Sequence, residues 1–151
     1  MKQTNVRYEI RKATQEDLPK VYEFEREYIT TVEPDHLGRW DDAGDHVMET
    51  LESNMDHMFV ADAGGQLAGH AYWALHDGHP CVYSVFVADD FRRLGIALAL
   101  MRALEENMAL CGYHEVTLST LTVNPAQHLF ARLGYTQTQT KDEWMYYIKE
   151  L

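Results

Sequence analysis

Cys81-Val82-Tyr83-Ser84-Val85-Phe86-Val87, then Ala88-Asp89-Asp90, then Phe91-Arg92-Arg93-Leu94-Gly95-Ile96-Ala97 is the stretch on which the fold turns. The first seven residues are rich in β-branched and aromatic side chains and read as a strong strand. From Arg92 to Leu110 the apolar residues Leu94, Leu98, Met101, Leu104 and Met108 recur at helical spacing, which predicts a long helix with a core-facing stripe. Gly112 stands where a helix C-terminus wants a left-handed residue, and Glu115–Leu121 reads as another strand. Strand, helix, strand implies a right-handed parallel crossover. At the joint, free backbone N–H groups and the positive end of the helix dipole would converge on an anion. Gly95 has no side chain to block a phosphate, Ala97 is small, and Arg92 and Arg93 add charge. A pyrophosphate suits such a cradle. An ordinary strand–turn–helix joint with surface arginines has the same letters, so the short glycine motif alone leaves both readings open.

Outward from this stretch, Tyr8–Ile10 and its flanks read as a first strand. Thr14-Gln15-Glu16-Asp17 is a capping-box pattern that opens a helix with Leu18, Val21 and Tyr22 on its apolar face and Glu25 at the same spacing. Val32–Asp45, with Pro34, Gly38, Gly44 and several acids, is expected to be a mobile loop. A short helix follows over Asp45–Ser53, with Val47, Met48 and Leu51 inward. Met58–Ala61 is an apolar strand, Gly64-Gly65 a hairpin turn, and Gln66–Leu75 the returning strand. Gly78-His79-Pro80 makes the turn into Cys81–Val87. Asn124-Pro125 is an N-cap followed by proline, and its helix ends at Gly134. Tyr135–Ile148 reads as two strands, with Trp144, Tyr146 and Ile148 on one face. The fold class is α+β, a mixed and mostly antiparallel sheet of six to seven strands flanked by about four helices, in a single domain over residues 1–151.

Composition excludes several functions. The chain has 151 residues and a net charge of −11. That balance argues against nucleic acid and makes a protonated amine a congenial ligand. Two distant cysteines, Cys81 and Cys111, lack metal-ligand spacing and fit a reduced compartment. Lys2–Arg11 is too polar for a signal peptide, and no apolar run approaches the roughly 20 residues of a membrane span, so a cytoplasmic location with no membrane partner is expected. His76 and His79 flank a turn without a third ligand, so no metal is expected.

Arg92, Gly95 and Ala97 match (Gln or Arg)-x-x-Gly-x-(Gly or Ala) after a central strand, and Asn124-Pro125-Ala126 with Leu129-Phe130-Ala131-Arg132-Leu133-Gly134-Tyr135 forms a second matching segment. In both motifs and in the order of elements the sequence resembles the GNAT superfamily of acetyl-CoA-dependent N-acetyltransferases. The resemblance implies a sheet splayed beside Cys81–Val87, with the pantetheine arm of acetyl-CoA paired along Val85, Phe86 and Val87. It implies the pyrophosphate on the amides of Arg93, Leu94, Gly95, Ile96, Ala97 and Leu98, with Arg92 beside them and Asn124 near the thiol end. Asn124 would also serve as a plain N-cap. Two departures stand out. Where the family often carries a tyrosine that protonates the departing thiolate, this chain has Phe130, and Asn124 is one residue closer to Gly134 than usual.

The implied reaction is acetyl transfer to a small-molecule primary amine by direct attack in a ternary complex. Protein N-termini or lysines are an alternative acceptor, and a non-catalytic acyl-CoA sensor is the alternative suggested by Phe130. Backbone N–H groups of Phe86 or Val87 would stabilise the developing oxyanion. Tyr83, on the cofactor strand, is the first candidate base and Glu33, in the loop walling the acceptor site, the second. Each has a structural reading beside the chemical one: a packed tyrosine and a solvated loop acid. His70 on a strand either lines the acceptor site or packs in the core. Asp41, Asp42 and Asp45 are read as an acidic rim or as solvated loop residues. Trp144, Tyr146 and Tyr147 crowd one strand, and a homodimer through that strand is expected.

Overall fold

The sheet is held together on either side of one seam. The structure, a computed structural model, describes residues 6–151, so the start of the polar stretch Lys2–Arg11 lies outside the described residues. Seven strands run β1 (Glu9–Lys12), β2 (Met58–Ala63), β3 (Gln66–His76), β4 (His79–Val87), β5 (Glu115–Leu121), β6 (Thr136–Lys141) and β7 (Trp144–Glu150). Their order across the sheet is β1-β2-β3-β4-β5-β7-β6. Every neighbouring pair is antiparallel except β4 and β5, which are parallel and bridge only at Cys81 and Thr117. Past Cys81 the two strands part, as the splayed mixed sheet expected from the sequence requires.

A bulge sharpens the seam. β3 and β4 pair Trp73 with Val82 but Tyr72 with Ser84, so Tyr83 is the extra residue on β4. Such an insertion bends the bulged strand and increases its twist. Further along, a Cβ on Gly69 would collide with the Phe86 carbonyl oxygen, so only glycine admits this close approach of β3 to β4.

Five α-helices flank the sheet: α1 (Leu18–Val32), α2 (Leu37–Asp42), α3 (Gly44–Ser53), α4 (Ile96–Leu110) and α5 (Gln127–Arg132). The fifth is the correction to the sequence reading. Val32–Asp45 is not a loop: a short 3-10 turn at Pro34–His36 leads into α2, and Gly44 begins α3. Proline at the first position of a turn and glycine at a helix start are compatible with helix, because neither must supply an interior N–H bond. The helix expected from Arg92 begins only at Ile96, since Arg93 and Gly95 adopt left-handed φ of 66° and 80°. The helix expected from Asn124-Pro125 likewise begins at Gln127.

α4 covers one face. Ile96, Leu100, Met101, Leu104 and Met108 are its buried residues, packed with Trp73, Val116, Leu118 and Tyr147. The expected stripe included Leu94 and Leu98, which are only half-buried against this cluster. α4 closes with Gly112 N–H bonded to the Ala109 carbonyl and Tyr113 N–H to that of Met108, the paired bonds of a Schellman end. On the other face, Leu18, Val21 and Leu51 from α1 and α3 meet Met58, Val60 and Tyr72 in a smaller cluster. α1 is tied to the sheet edge by the capping box, in which Thr14 N–H donates to Asp17 Oδ2 at 2.8 Å. Arg11 adds a two-pronged bond to the same Asp17 at 2.8 and 3.0 Å and a third bond to Asp62 at 3.1 Å. The three crowded aromatics of the C-terminal strand find places within one chain: Tyr147 enters the core, while Trp144 and Tyr146 turn to the groove described next. No helix among the described residues is long and apolar enough to cross a membrane.

Candidate active site

Where β4 and β5 part, a groove of about 1540 Å³ opens across the sheet. One wall is the exposed backbone run Val85–Val87, the floor leads to the start of α4, and the far wall is made by α1, α2 and the start of α5. Tyr83, Val85, Phe86, Val87, Arg92, Arg93, Gly95, Ile96, Ala97, Leu98, Asn124, Phe130 and Glu33 all line it. Of the cofactor and base candidates expected from the sequence, only Leu94 is absent from this lining; its side chain packs against the α4 core instead.

The α4 end is built from backbone. A 15-residue helix begins at Ile96, and its first N–H groups have no intrahelical acceptor. Gly95 is left-handed, and nothing stands within 4 Å of the place its Cβ would occupy, so open space lies against those N–H groups. Arg93 takes a left-handed φ of 66° although it is not glycine, a conformation that costs on the order of 1–3 kcal/mol and clusters at functional sites. Arg92 is already engaged: its Nε donates to the Val87 carbonyl at 3.0 Å, its guanidinium meets Asp89 at 2.8 Å, and it lies over the Phe86 ring at 5.9 Å. Arg92 therefore braces the β4 end, and of the two arginines at this joint Arg93 makes no ion pair among the described residues.

The α1 end is built from side chains. Tyr83 is 45% exposed, and burial and nearby Cys81 and Asp77 push its phenol above its ordinary value. Glu33 accepts from His36 Nδ1 at 2.8 Å and stands beside Tyr28. Asn124 Oδ1 accepts the Ala126 N–H at 2.9 Å, and its Nδ2 donates to the Tyr28 hydroxyl at 3.3 Å. It therefore closes a turn ahead of α5, whose N-cap position is Ala126 and not Asn124 as expected, and it lines the groove. Phe130 is 4% exposed and wedged against Tyr135 and Tyr147, with ring centroids 6.0 Å from each. His70 is fully buried, so it does not face an acceptor directly; its Nε2 lies 3.1 Å from Glu25 Oε2. Asp41 is bonded twice to Arg26, and Asp41, Asp42 and Asp45 are outside the groove lining, so the acidic rim belongs instead to Glu25, Glu27 and Glu33. His76 and His79 pair across their turn, with His76 3.7 Å from Asp77, and no cluster of three metal-ligating side chains occurs among the described residues.

Among the lining residues given no role from the sequence, Glu25, Tyr28 and Ser84 carry the polar groups nearest the α1 wall. Burial raises the Tyr28 phenol well above its ordinary range, and the neighbouring Glu33 charge raises it further. Glu25 did leave one trace, a carboxylate repeating the spacing of an apolar face. Tyr28 and Ser84 left none, because their partners lie on other elements.

Comparison with known proteins agrees with this architecture. The model of the acetyltransferase (GNAT) family matches residues 10–135. An uncharacterised N-acetyltransferase of Methanocaldococcus jannaschii is 32% identical over 133 residues, covering 83% of this chain and 76% of that protein. The PaiA N-acetyltransferase of Thermoplasma acidophilum, solved in complex with coenzyme A, superposes with a TM-score of 0.80 at 18% identity, covering 96% of this chain and 99% of that one. The Salmonella typhimurium protein yncA, solved with acetyl-CoA, gives 0.77 at 19% identity, covering 95% and 94%. At those identities the two structures share the fold.

Proposed function

Because the chain belongs to the GNAT acetyltransferase family and is an N-acetyltransferase, we propose that it moves the acetyl group of acetyl-CoA onto a primary amine of a small molecule, by direct attack with both substrates in the groove. The observation that carries this reading is the parting of β4 and β5 after Cys81, which leaves the Val85–Val87 backbone without a strand partner on its β5 side.

The residues present fit acetyl-CoA. The backbone of Val85, Phe86 and Val87 would take the extended arm as an added strand takes its neighbour. The N–H groups of Arg93 through Leu98 would hold the pyrophosphate, with open space at Gly95 to admit it. When bound, acetyl-CoA supplies an activated acetyl thioester. The protein's own part is to position, to donate hydrogen bonds and to move one proton. Positioning of reacting groups is worth up to about 7–11 kcal/mol, and a backbone donor aimed at a developing oxyanion about 3–4 kcal/mol. Phe86 or Val87 N–H would serve as that donor. Tyr28 keeps its proton on Oη and lines the groove between Asn124 and Glu33, so a hydroxyl stands there although Phe130 has none. Glu25, Glu27 and Glu33 on the α1 wall favour a cationic acceptor.

The experiment is release of free thiol from acetyl-CoA in the presence of spermidine, kanamycin, lysine or a short peptide with a free N-terminus. Turnover with one of the small amines and not with the peptide is expected. Turnover with the peptide alone would make a protein the acceptor, and turnover with none of the four would reject the reading.

A further inference from the structure

Resting on the acetyl-transfer reading above, we propose that Glu25 is the proton acceptor for the incoming amine and that Ser84 and His70 are positioning residues that hold its carboxylate at the opening of the sheet.

Glu25 breaks the pattern of its own helix. It follows Leu18, Val21 and Phe24, which are all buried, and its side chain is only 15% exposed. A carboxylate so placed is costly unless it is bonded. Its bonds converge on one oxygen: Ser84 Oγ donates to Oε2 at 2.7 Å and His70 Nε2 lies 3.1 Å from the same atom. Ser84 Oγ and His70 Nε2 are themselves 3.4 Å apart, so the three groups form one cluster drawn from α1, β3 and β4. No described residue bonds Oε1, and Glu25 lines the groove. Oε1 is therefore the atom left for the acceptor.

His70 makes sense only as part of this cluster. It is fully buried and lies between aromatic rings, stacked on Phe24 at 5.8 Å and tilted to Phe86 at 6.3 Å. Its Nδ1 has no partner among the described residues. With Nε2 donating to Glu25, the ring's one polar bond is the one that orients the carboxylate. An apolar side chain would fill the same space without an orphaned nitrogen.

The location suits the role. Ser84 directly follows the bulge residue Tyr83 and lies a few residues past Cys81, the last point at which β4 pairs with β5. The two residues expected from the sequence are worse placed to take a proton. Tyr83 must first lose its own, which its raised pKa opposes, and Glu33 is bonded by His36 on its own segment, with no bond to β3 or β4 among the described residues. The other titratable groups facing Glu25 are Tyr72 on β3 and Tyr28 on α1, both kept protonated by burial and, more weakly, by the Glu25 charge in Tyr72 and by Glu33 and Glu25 in Tyr28. Glu25 forms no ion pair with lysine or arginine among the described residues.

The step is a single proton transfer. An N–H bond of the substrate ammonium breaks, its electron pair stays on nitrogen as the nucleophilic lone pair, and the proton bonds to Glu25 Oε1. Glu25 then returns it to water.

The test uses the full chain with acetyl-CoA and each of the four amines above. Glu25→Gln keeps the shape and an acceptor for Ser84 and His70. It should lower kcat/KM about a hundredfold near pH 7, the lower end for loss of a general base, with CoA affinity unchanged by calorimetry. The deficit should shrink as pH rises toward the amine's own pKa, about 10 for a lysine-like amine, because the amine then arrives neutral. His70→Phe, which keeps the ring stack, and Ser84→Ala should each lower kcat with KM for acetyl-CoA unchanged, and Ser84→Thr should restore most of the loss. A parent that acetylates one of the amines and a Glu25→Gln variant within threefold of it at pH 7 would overturn this proposal alone. A variant that loses CoA binding and thermal stability together would also overturn it, as a structural role. A parent inactive on all four would sink the acetyl-transfer reading and this proposal with it.

Discussion

On the α4 side of the sheet, Leu100, Met101, Leu104 and Met108 are fully buried and pack with Trp73, Val116 and Leu118 in one apolar cluster. On the α1 side the apolar cluster is smaller, and polar groups are threaded through it: Arg11 with Asp17 and Asp62, Glu25 with Ser84 and His70, Tyr28 with Asn124. The first side is a platform whose working surface is backbone: a strand edge and a helix start. The second is a wall whose working surface is side chains from several elements. Cofactor recognition by main chain tolerates most side-chain choices, provided the turn closes. Under the proposed reading, acceptor and proton chemistry fall to the wall, where they depend on which side chains meet.

The largest effect should come from the platform's core. Leu104→Ala removes a fully buried side chain from the larger cluster and is expected to cost about 2–5 kcal/mol. At roughly 2–4 °C per kcal/mol for a chain of this size, calorimetry should see a clear fall in Tm. Leu51→Ala, 1% exposed in the smaller cluster, should fall near the low end of that range, because polar neighbours and α2 leave more room for collapse. A Leu51→Ala variant less stable than Leu104→Ala would reverse the comparison.

Gly95→Glu attacks the platform's working surface instead. A side chain there must adopt φ of +80°, costing about 1–2 kcal/mol for a residue other than glycine, and its charge would face the helix start in place of an anion. CoA affinity should fall about a hundredfold, or nearly 3 kcal/mol. Undiminished affinity by calorimetry would show that the anion site lies elsewhere.

The two sides also differ in how much of them the sequence disclosed. The β4–α4–β5 crossover was legible because its signals are local: β-branched strand residues, helical spacing from Leu98 to Met108, Gly112 after α4, and Arg92 to Ala97 within six positions. Even the seam followed, through the family resemblance that those letters carry. The α1 wall was not legible for two reasons. Pro34, Gly38 and Gly44 read as loop residues, yet each occupies a position in the turn and helices of Pro34–Ser53 where its backbone fits. And Glu25, His70 and Ser84 meet across 45 and 59 residues of chain, so no spacing rule connects them. Tyr83 and Glu33, the bases expected from the sequence, stand one beside Ser84 on β4 and the other just past the end of α1.

A third prediction probes a bond of the wall. Tyr28→Phe removes the hydroxyl to which Asn124 donates and leaves the ring in place. A hydrogen bond to a charged group is worth about 1.5–3 kcal/mol, so kcat should fall about ten- to hundredfold if this hydroxyl stabilises charge on the departing sulfur. CoA affinity should change little. Loss of affinity without loss of kcat would make Tyr28 a binding residue of the platform side.

The wall's attachment should also make it the acid-sensitive side. Bonds from Arg11 hold the Asp17 carboxyl below its ordinary 3.8, and its side chain is 9% exposed. Because the folded value lies below the unfolded one, the stabilisation is fully present above pH 3.8 and is lost as pH falls through the folded value. Asp17→Asn should therefore lower Tm at pH 7 by an amount reflecting about 1 kcal/mol, and the difference from the parent should close only below about pH 3.8. A difference that stays constant down to pH 2 would mean that packing, not charge, ties α1 to the sheet.

The smallest effect expected is that of Phe130→Tyr. The position is 4% exposed and its ring lies against Tyr135 and Tyr147, so an added hydroxyl gains little access to solvent. It restores the family's usual letter in a buried position, while the Tyr28 hydroxyl on α1 already lines the groove. A thiol pKa of about 8.5 also lets the sulfur depart as an anion near neutral pH. The rate should change by no more than about threefold, under 1 kcal/mol. The pH profile separates the cases further. Burial and the Glu33 charge hold the Tyr28 phenol well above its ordinary range, so it keeps its proton and the basic limb should stay flat through pH 10 in the parent. A tyrosine at 130 acting as a true acid with an ordinary phenol pKa would add a falling limb near pH 10. A hundredfold gain from Phe130→Tyr together with that limb would show that proton donation limits the parent, and that the proton belongs on the platform side of the groove and not on the wall.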